Sequence, residues 1–243
     1  MSDLKRRLQQ DDRRFFAYFH PILKDEPLIF VEVAFTRGIG KSIQQLIKPK
    51  TKESSNYDTA TFYSINNCRD GLMRVTLGNF LIKRVVFEIQ LENPKIKNFG
   101  TLSPLPGFAD WFFSLTKNQL QDILKNYDIL KLEFLKSQQL KIGDPKMIKE
   151  EETLKKLVSH YLINEKINNK PLNPVSRFHL GNGASIHDII INGNTSDYGY
   201  SESFGIMVNY GYQLDKLEHI HEDFITKGKI SYSEKIKKYV QSK

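Results

Sequence analysis

The chain has 243 residues, a formal net charge of +8 and a pI near 9.3. This length suits one large domain with a substantial core. The positive charge favours an anionic partner such as nucleic acid, a membrane surface or a phosphorylated small molecule. Lysines and arginines are scattered among acidic residues in twos and threes. A nucleic-acid-binding stripe is therefore a minor interpretation, and we expect no nucleic-acid partner.

Cysteine content and hydropathy bear on the compartment. Cys68 is the only cysteine, so an intrachain disulfide is impossible and a reducing compartment is indicated. The first 20 residues lack the apolar segment of a secretory signal, and their three Asp argue against a transit peptide. No apolar run approaches the ~20 residues of a membrane helix. These features predict a cytoplasmic protein with no membrane partner.

The first third of the chain mixes both kinds of element. The charged residues 1–14 predict a helix, and residues 28–36 alternate with many Ile, Val and Phe, which predicts a strand. SIQQLIKPK at 42–50 predicts a short helix. TATFYSI at 59–65 and LMRVTL at 72–77 predict two strands that we expect to pair antiparallel.

Helical spacing starts after Gly78 in NFLIKRVVFEIQLE, with Asn79 as its expected cap. NFGTLSPL at 98–105 predicts a strand that its two prolines stop. Residues 108–168 have helical periodicity, and Asp144 is the expected cap of their clearest stretch.

Two late strands and two helices complete the pattern. SIHDIIIN and FGIMVNYGY predict the strands, and QLDKLEHIHEDFITKG predicts an amphipathic helix. Residues 227–243, which are rich in lysine, predict a solvated terminal helix. Strands and helices alternate, but several strands are adjacent along the chain. We therefore predict an α/β (α+β) fold, a mixed sheet with helices on both faces.

A phosphate-binding loop is the first candidate site. The strand-like residues 27–36 lead to Gly40, Lys41 and Ser42, the order in which a P-loop ends. That motif needs another glycine five positions before its second one, where the backbone turns tightly around phosphate. Position 35 is Phe. We interpret the segment as a strand, a turn and a helix rather than the site of a nucleotide hydrolase.

An anion site is better supported at VTLGNFLIKR, where a strand and a glycine precede a helix that carries Lys83 and Arg84. Free N–H groups and the helix dipole favour an anion there, although taken alone the pattern more often forms a turn without a ligand. The pair His219 and His221 suggests a metal site, but residues two apart on a helix point to different faces. We predict no metal.

Two further segments place a polar side chain beside rigid backbone. Ser103 lies in TLSPLPGFADW, between a strand and a Pro-x-Pro-Gly turn that fixes the backbone after it. His179 lies in NPVSRFHLGNGA, which we interpret as a proline-started extended stretch before a Gly-Asn-Gly turn. Taken singly, a serine that caps a strand end and a structural histidine are open alternatives.

Four longer blocks, in this order, resemble the catalytic domain of the malonyl-CoA decarboxylase family. They are DDRRFFAYFHPILKDEPLIFVEVAFT, FYSINNCRDGLMRVTLGNFLIKRVVFEIQLENPKIKNFGTLSPLPGF, LNPVSRFHLGNGA and SFGIMVNYGY. The resemblance runs from about residue 11 to residue 226 and is thin between 112 and 158. It implies a fold similar to the GNAT acetyltransferases, with coenzyme A as the anionic partner.

The resemblance also implies roles for particular residues. Ser103 and His179 match the family's catalytic pair, which implies that Ser103 orients the malonyl group and His179 acts as the general acid. An ordinary histidine pKa of ~6.5 would suit that acid. The family's acyl-CoA contacts match a strand, turn and helix start, namely Met73, Arg74, Val75, Thr76, Leu77, Gly78, Asn79 and Lys83.

The sequence departs from the family pattern at a few positions. Thr76 stands where the family usually has an acidic residue and Asn194 where it has Asp, while Asp188 and Ile191 replace an Arg and a Trp. The family's helical N-terminal domain is almost wholly missing. We therefore expect residues 1–14 to be its remnant and 15–243 to form the catalytic domain. Self-association or a separate helical partner would then complete the assembly.

The expected reaction converts malonyl-CoA to acetyl-CoA and carbon dioxide. We expect no cofactor, because the thioester carbonyl of the substrate accepts the electrons. Three alternatives remain open: a CoA-binding homologue with impaired activity, an acyltransferase that uses another acyl-CoA, and, more distantly, a nucleic-acid-binding module.

Overall fold

The computed structural model describes residues 10–20, 22–48, 56–68, 78–125 and 151–240. Nine strands lie in these ranges. They are β1 (Arg13–His20), β2 (Leu23–Thr36), β3 (Thr59–Asn67), β4 (Asn98–Thr101), β5 (Ser103–Pro104), β6 (Lys166–Ile167), β7 (Lys170–Pro171), β8 (Ser185–Ile190) and β9 (Met207–Tyr212).

Nine helices lie in the same described ranges. They are α1 (Ile43–Ile47), α2 (Gly78–Glu92), α3 (Phe108–Ser114), α4 (Lys117–Leu124), α5 (Glu151–Ile163), α6 (Pro174–Gly181), α7 (Asp197–Ser203), α8 (Leu217–Lys227) and α9 (Glu234–Val240). None of the described helices is long and apolar enough to cross a membrane.

Seven of the strands form one mixed sheet in the order β1-β2-β3-β4-β9-β5, with β8 also paired to β9. The pair β3 and β4 is parallel, and α2 lies in the connection between them. The other pairs in the sheet are antiparallel. Strands β6 and β7 form a separate small hairpin. The predicted mixed sheet is confirmed.

Helices pack on both faces of the sheet, as successive residues of β2 show. Val33 and Phe35 join the large core cluster with the buried side of α2. Ala34, between them, joins a smaller cluster with Leu46 of α1 and Leu102. Neighbouring strand residues point to opposite faces, so the two clusters cover opposite sides of the sheet.

Most of the predicted elements are confirmed, including the strands at 28–36 and 59–65, the two late strands and the helix after Gly78. The strand at 98–105 is present as β4 and β5 with a break at Leu102. The strand at 72–77 and the helix cap at Asp144 lie outside the described residues.

Three predicted elements need correction. The helix expected over residues 1–14 is wrong for its described part, because Arg13 already begins β1 and pairs with Ala34. Helix α2 begins at Gly78, so Asn79 lies inside the helix and does not precede it. The terminal helix is not simply solvated: α9 packs against α5 and buries Ile236 and Tyr239.

Candidate active site

Ser103 is held in a short strand followed by a rigid turn. It pairs with Val208 of β9 and is only 5% exposed. Prolines at 104 and 106 fix φ in the residues that follow. Gly107 then adopts a left-handed φ of 74° at the start of α3, a conformation that glycine reaches without a steric penalty. The sequence pattern thus predicted the local geometry of this serine.

His179 lies on a helix, so the predicted extended stretch is wrong. Helix α6 starts with Asn173 as its N-cap and Pro174 as its first residue. It ends at Gly181, after which Gly183 has a left-handed φ of 79°. Asn-Pro at the start and glycine at the end are helix signals in the sequence. His179 sits in the last turn and is 3% exposed.

The fold brings Ser103 and His179 into contact although 76 positions separate them. The distance from Ser103 Oγ to His179 Nε2 is 2.9 Å. On the other side of the ring, His179 Nδ1 lies 2.9 Å from the hydroxyl of Tyr212. Ser103 Oγ donates to Thr101 Oγ1 at 2.8 Å. Four side chains therefore form one buried chain of hydrogen bonds.

The tautomer of His179 depends on which hydroxyl group of this chain donates. A hydroxyl group has one proton. If Ser103 donates that proton to Thr101, its contact with His179 needs Nε2–H as the donor. Nδ1 is then an acceptor for the O–H of Tyr212. Burial raises the pKa of Tyr212, which keeps that hydroxyl protonated.

Burial lowers the pKa of His179 to about 3. Its two described hydrogen-bond partners are hydroxyl groups, so no carboxylate among them offsets the loss of water. The expectation of an ordinary histidine pKa near neutrality is therefore wrong. The ring is therefore neutral at pH 7.

Tyr210 fixes the plane of this ring. It stacks on His179 with ring centroids 4.6 Å apart and an interplanar angle of 28°. Tyr210 and Tyr212 lie two positions apart on β9 and so share one face of the strand. The spacing of these two tyrosines in the sequence indicates that they share a strand face. It does not indicate that this face contacts His179, which lies more than 30 positions earlier in the chain. Sequence reasoning also missed Thr101.

Ser103 and His179 line a cavity of about 390 Å³. β3 forms one wall, and its parallel pairing with β4 runs from Thr59 to Phe62. The start of α6 forms the opposite wall, and no Lys, Arg, Asp or Glu occurs among the described lining residues. These are Phe62, Tyr63, Ser64, Ile65, Asn66, Leu102, Ser103, Pro104, Pro174, Val175, Phe178 and His179.

The predicted acyl-CoA contacts are described only in part. Met73, Arg74, Val75, Thr76 and Leu77 lie outside the described residues. Gly78 and Asn79 form the first turn of α2, which contains no acidic residue. Lys83 reaches Glu218 of α8 at 3.1 Å in an exposed ion pair. Such a pair contributes little, so Lys83 remains available to a stronger anion.

The turn that resembles a P-loop uses its own donors within the protein. Gly38 N–H donates to Asp58 Oδ1 at 2.9 Å, and Gly40 N–H donates to Thr61 Oγ1 at 3.0 Å. Ser42 caps the five-residue helix α1. These backbone groups cannot also bind phosphate, which agrees with the interpretation from the sequence.

The histidine pair of α8 serves structural contacts. His221 Nδ1 lies 2.6 Å from the carbonyl oxygen of Gly181, and His219 lies 3.7 Å from Asp223. The described residues contain no group of three or more His, Cys, Asp or Glu that could hold a metal ion.

Two departures from the family pattern have structural partners here. Asn194 Oδ1 accepts from Gln44 Nε2 at 3.0 Å and from the N–H of Ser196 at 3.1 Å. Asp188 pairs with Lys235 at 3.0 Å. Both side chains therefore stabilise neighbouring segments.

The architecture is shared with a known class. GphF, a GNAT-like decarboxylase solved in complex with isobutyryl-CoA, is 15% identical with a TM-score of 0.51, over 88% of this chain and 84% of its own. The mixed sheet and its helices therefore define a GNAT-like α/β fold.

Closer matches identify the family. The family model described as the malonyl-CoA decarboxylase C-terminal domain matches residues 1–243. The chain belongs to the malonyl-CoA decarboxylase family. The malonyl-CoA decarboxylase structure from Rhodopseudomonas palustris is 38% identical, with a TM-score of 0.86 over 98% of this chain and 55% of its own.

Animal relatives give the same result. The mitochondrial malonyl-CoA decarboxylase of the goose Anser anser anser is 36% identical over 98% of this chain and 51% of its own length. The mouse protein of that name is 34% identical over 96% of this chain and 52% of its own. The chain thus spans about half the length of these relatives.

Proposed function

We propose that this chain decarboxylates malonyl-CoA to acetyl-CoA and carbon dioxide, with Ser103 and His179 at the reacting centre. The observation that carries the proposal is the 2.9 Å contact of these two side chains at the wall of a cavity, in a chain of this family. As a reaction class, the enzyme would be a carboxy-lyase.

The reaction breaks the bond between the carboxylate carbon and C2 of the malonyl group. Its electron pair moves into the thioester as an enolate, carbon dioxide leaves, and C2 then takes up one proton. The thioester carbonyl is the electron acceptor, so we propose that no metal, pyridoxal or thiamine takes part. The protein must supply hydrogen-bond donors for the enolate, which are typically worth about 3 kcal/mol each.

The uncharged lining of the cavity favours decarboxylation, because this step removes the localised charge of the malonyl carboxylate. Its described residues offer the substrate hydroxyl, amide and imidazole groups but no cation. A carboxylate placed there lacks a partner for its localised charge, whereas the transition state spreads that charge into the thioester. We propose that the Ser103 hydroxyl turns from Thr101 to the substrate when malonyl-CoA binds and orients the malonyl group by donating a hydrogen bond to it.

We propose that His179 protonates C2 from its neutral state. Its Nε2–H would pass to the carbon while the Tyr212 hydroxyl, 2.9 Å from Nδ1, gives its proton to Nδ1. The negative charge of the enolate then rests on the Tyr212 oxygen until solvent returns a proton to it. The ring then changes tautomer without becoming a cation. This route replaces the imidazolium acid expected from an ordinary histidine pKa.

The rest of the substrate would extend away from the reacting centre. We propose that the phosphates of CoA lie at the start of α2, where Gly78, Asn79 and Lys83 combine free N–H groups with a cation. The contacts predicted from Met73 to Leu77 belong to the same proposal.

Location and assembly remain proposals as well. We propose a cytoplasmic protein, for which the single exposed thiol of Cys68 is the supporting observation, although the goose and mouse relatives are named mitochondrial. We also propose self-association or a separate helical partner, for which the family resemblance is the support and light scattering the test. The division into residues 1–14 and 15–243 stays a prediction.

The decisive experiment is incubation with malonyl-CoA while acetyl-CoA is followed by chromatography. We expect acetyl-CoA to appear with wild type and to form ~10²-fold or more slowly with the Ser103→Ala variant. CoA binding without any decarboxylation by wild type would overturn the proposal in favour of an impaired homologue. Acyl transfer from another acyl-CoA would indicate the acyltransferase.

A further inference from the structure

Asn173 lies between the two segments that carry the reacting pair. It follows the β6–β7 hairpin, precedes α6 and is completely buried. The two polar atoms of its side chain bond in different directions. Oδ1 accepts from the N–H of Ser176 at 2.9 Å, and Nδ2 donates to the carbonyl oxygen of Pro106 at 2.9 Å.

Each of these two hydrogen bonds fixes the backbone near one residue of the pair Ser103 and His179. The bond to Ser176 caps α6, the helix on which His179 lies. Pro106 belongs to the turn that begins at Ser103. Because Pro104, Pro106 and Pro174 restrict the backbone on both sides, a shift at the amide of Asn173 is passed on to the two reacting groups.

We propose that Asn173 is a positioning residue that sets the contact between Ser103 Oγ and His179 Nε2. This inference rests on the proposed function where it is tested by kcat. Asparagine suits the position because its short, planar amide carries an acceptor and a donor together. Aspartate would keep the cap but place an oxygen against the Pro106 carbonyl, and serine would keep the cap but lose the donor.

A neighbouring bond provides a graded comparison. The Pro106 carbonyl also accepts from the Tyr161 hydroxyl at 3.2 Å. Tyr161→Phe removes this donor and leaves the bond from Asn173 in place. We therefore expect Tyr161→Phe to have a smaller effect on kcat than Asn173→Ser.

A role in stability alone needs a matched control. Thr116 caps α4 with a capping box, since its hydroxyl accepts from the N–H of Gln119 at 3.3 Å and Gln119 Oε1 accepts from the N–H of Thr116 at 2.8 Å. That helix carries neither reacting residue. Thr116→Ala should lower the melting temperature and leave kcat unchanged.

The kinetic test compares wild type with Asn173→Ser, Asn173→Asp and Thr116→Ala at a temperature where each is folded. We expect both Asn173 variants to lower kcat by about 10-fold or more, because small misplacements of reacting groups cost up to ~10²-fold. KM should stay within about twofold, since the nucleotide end is bound elsewhere. A kcat equal to that of Thr116→Ala overturns the inference.

A spectroscopic test does not depend on turnover. The ring nitrogens of His179, recognised by their loss in His179→Asn, report the tautomer in ¹⁵N spectra. Wild type should show Nε2–H alone, and Asn173→Ser should show a mixture or shifted signals. Unchanged ring signals overturn the inference even if wild type proves inactive, an outcome that would separately refute the proposed function.

Discussion

Two glycine-containing turns follow strands of the same sheet, and they use their polar groups differently. In the turn after β2, Gly38 and Gly40 donate to the side chains of Asp58 and Thr61. At the second turn, Ser103 of β5 lies just before the turn at Pro106 and Gly107 and contacts a neutral histidine at the wall of a cavity. The first turn carries the better-known short motif, and the second has groups that a ligand can reach. Function therefore follows from which donors the fold leaves facing a cavity.

Removing the two side chains proposed to react, Ser103 beside the second turn and His179 of α6, should have the largest effect. We expect Ser103→Ala and His179→Asn each to lower kcat by ~10²-fold or more, the usual scale for an oxyanion donor or a general acid. Steady-state rates of acetyl-CoA formation measure this. The double variant should be little worse than the poorer single variant, because both groups act on one transition state.

Binding of acetyl-CoA provides the control for those variants. Its affinity comes mainly from the nucleotide end, so calorimetric titration should give nearly the same Kd for wild type and both single variants. Robust decarboxylation by His179→Asn would refute the assignment of His179.

The second effect in size concerns stability and pH. The folded-state pKa of His179 is about 3, whereas an unfolded histidine has a pKa of ~6.5. Between these values the unfolded chain binds a proton that the folded chain does not, so stability falls as pH falls through this window. From pH 7 to pH 5 the contribution is about 2 kcal/mol.

Urea unfolding of wild type and His179→Asn at the two pH values measures this contribution. The variant should lose about 2 kcal/mol less on acidification than wild type. Thr116→Ala is the control, because it removes a helix cap without removing a titratable group, and it should keep the wild-type pH dependence. Equal losses in wild type and His179→Asn would contradict the buried, neutral state of His179.

The strands that carry this site could be predicted from the sequence, but the hydrogen-bond partners of Ser103 and His179 could not. Strands β2, β3, β8 and β9 were readable from their β-branched and aromatic residues. The roles proposed for Ser103 and His179 came from the family resemblance, since local pattern left a structural histidine equally open. Tyr212 and Thr101 depend on β9 lying between β4 and β5, and such long-range strand order has no local signal.

Two elements were missed for identifiable local reasons. Helix α6 has an Asn-Pro start, which was interpreted as extended because proline also favours that conformation. Helix α7 has the sequence DYGYSES, whose apolar residues do not repeat at helical spacing. Its cap at Ser196, which accepts from the N–H of Gly199 at 3.0 Å, was the only clear signal.

The third effect in size concerns the hydrogen bond between Tyr212 and Nδ1 of His179. Tyr212→Phe removes the donor to Nδ1 and leaves both tautomers accessible, so a share of the molecules presents no Nε2–H to the substrate. We expect kcat to fall about 10-fold, which corresponds to one hydrogen bond of ~1.4 kcal/mol. Tyr198→Phe, at an exposed tyrosine of α7, is the matched control and should leave kcat unchanged. A Tyr212→Phe variant with full activity would remove Tyr212 from the proton route.

The smallest expected effect concerns the binding of the CoA phosphates. Two places are compared, the start of α2 and the turn after β2. Lys83 stands near the start of α2 in an exposed pair with Glu218, and Lys41 stands in the turn whose donors are already used. We expect Lys83→Ala to raise the Kd for CoA about fivefold, the effect of ~1 kcal/mol from one partly exposed charge. Lys41→Ala should leave Kd unchanged. Titrations at two salt concentrations sharpen the test, because only Lys83→Ala should reduce the weakening of binding by salt. A larger loss of affinity in Lys41→Ala than in Lys83→Ala would place the phosphates at the first turn and refute the site at α2.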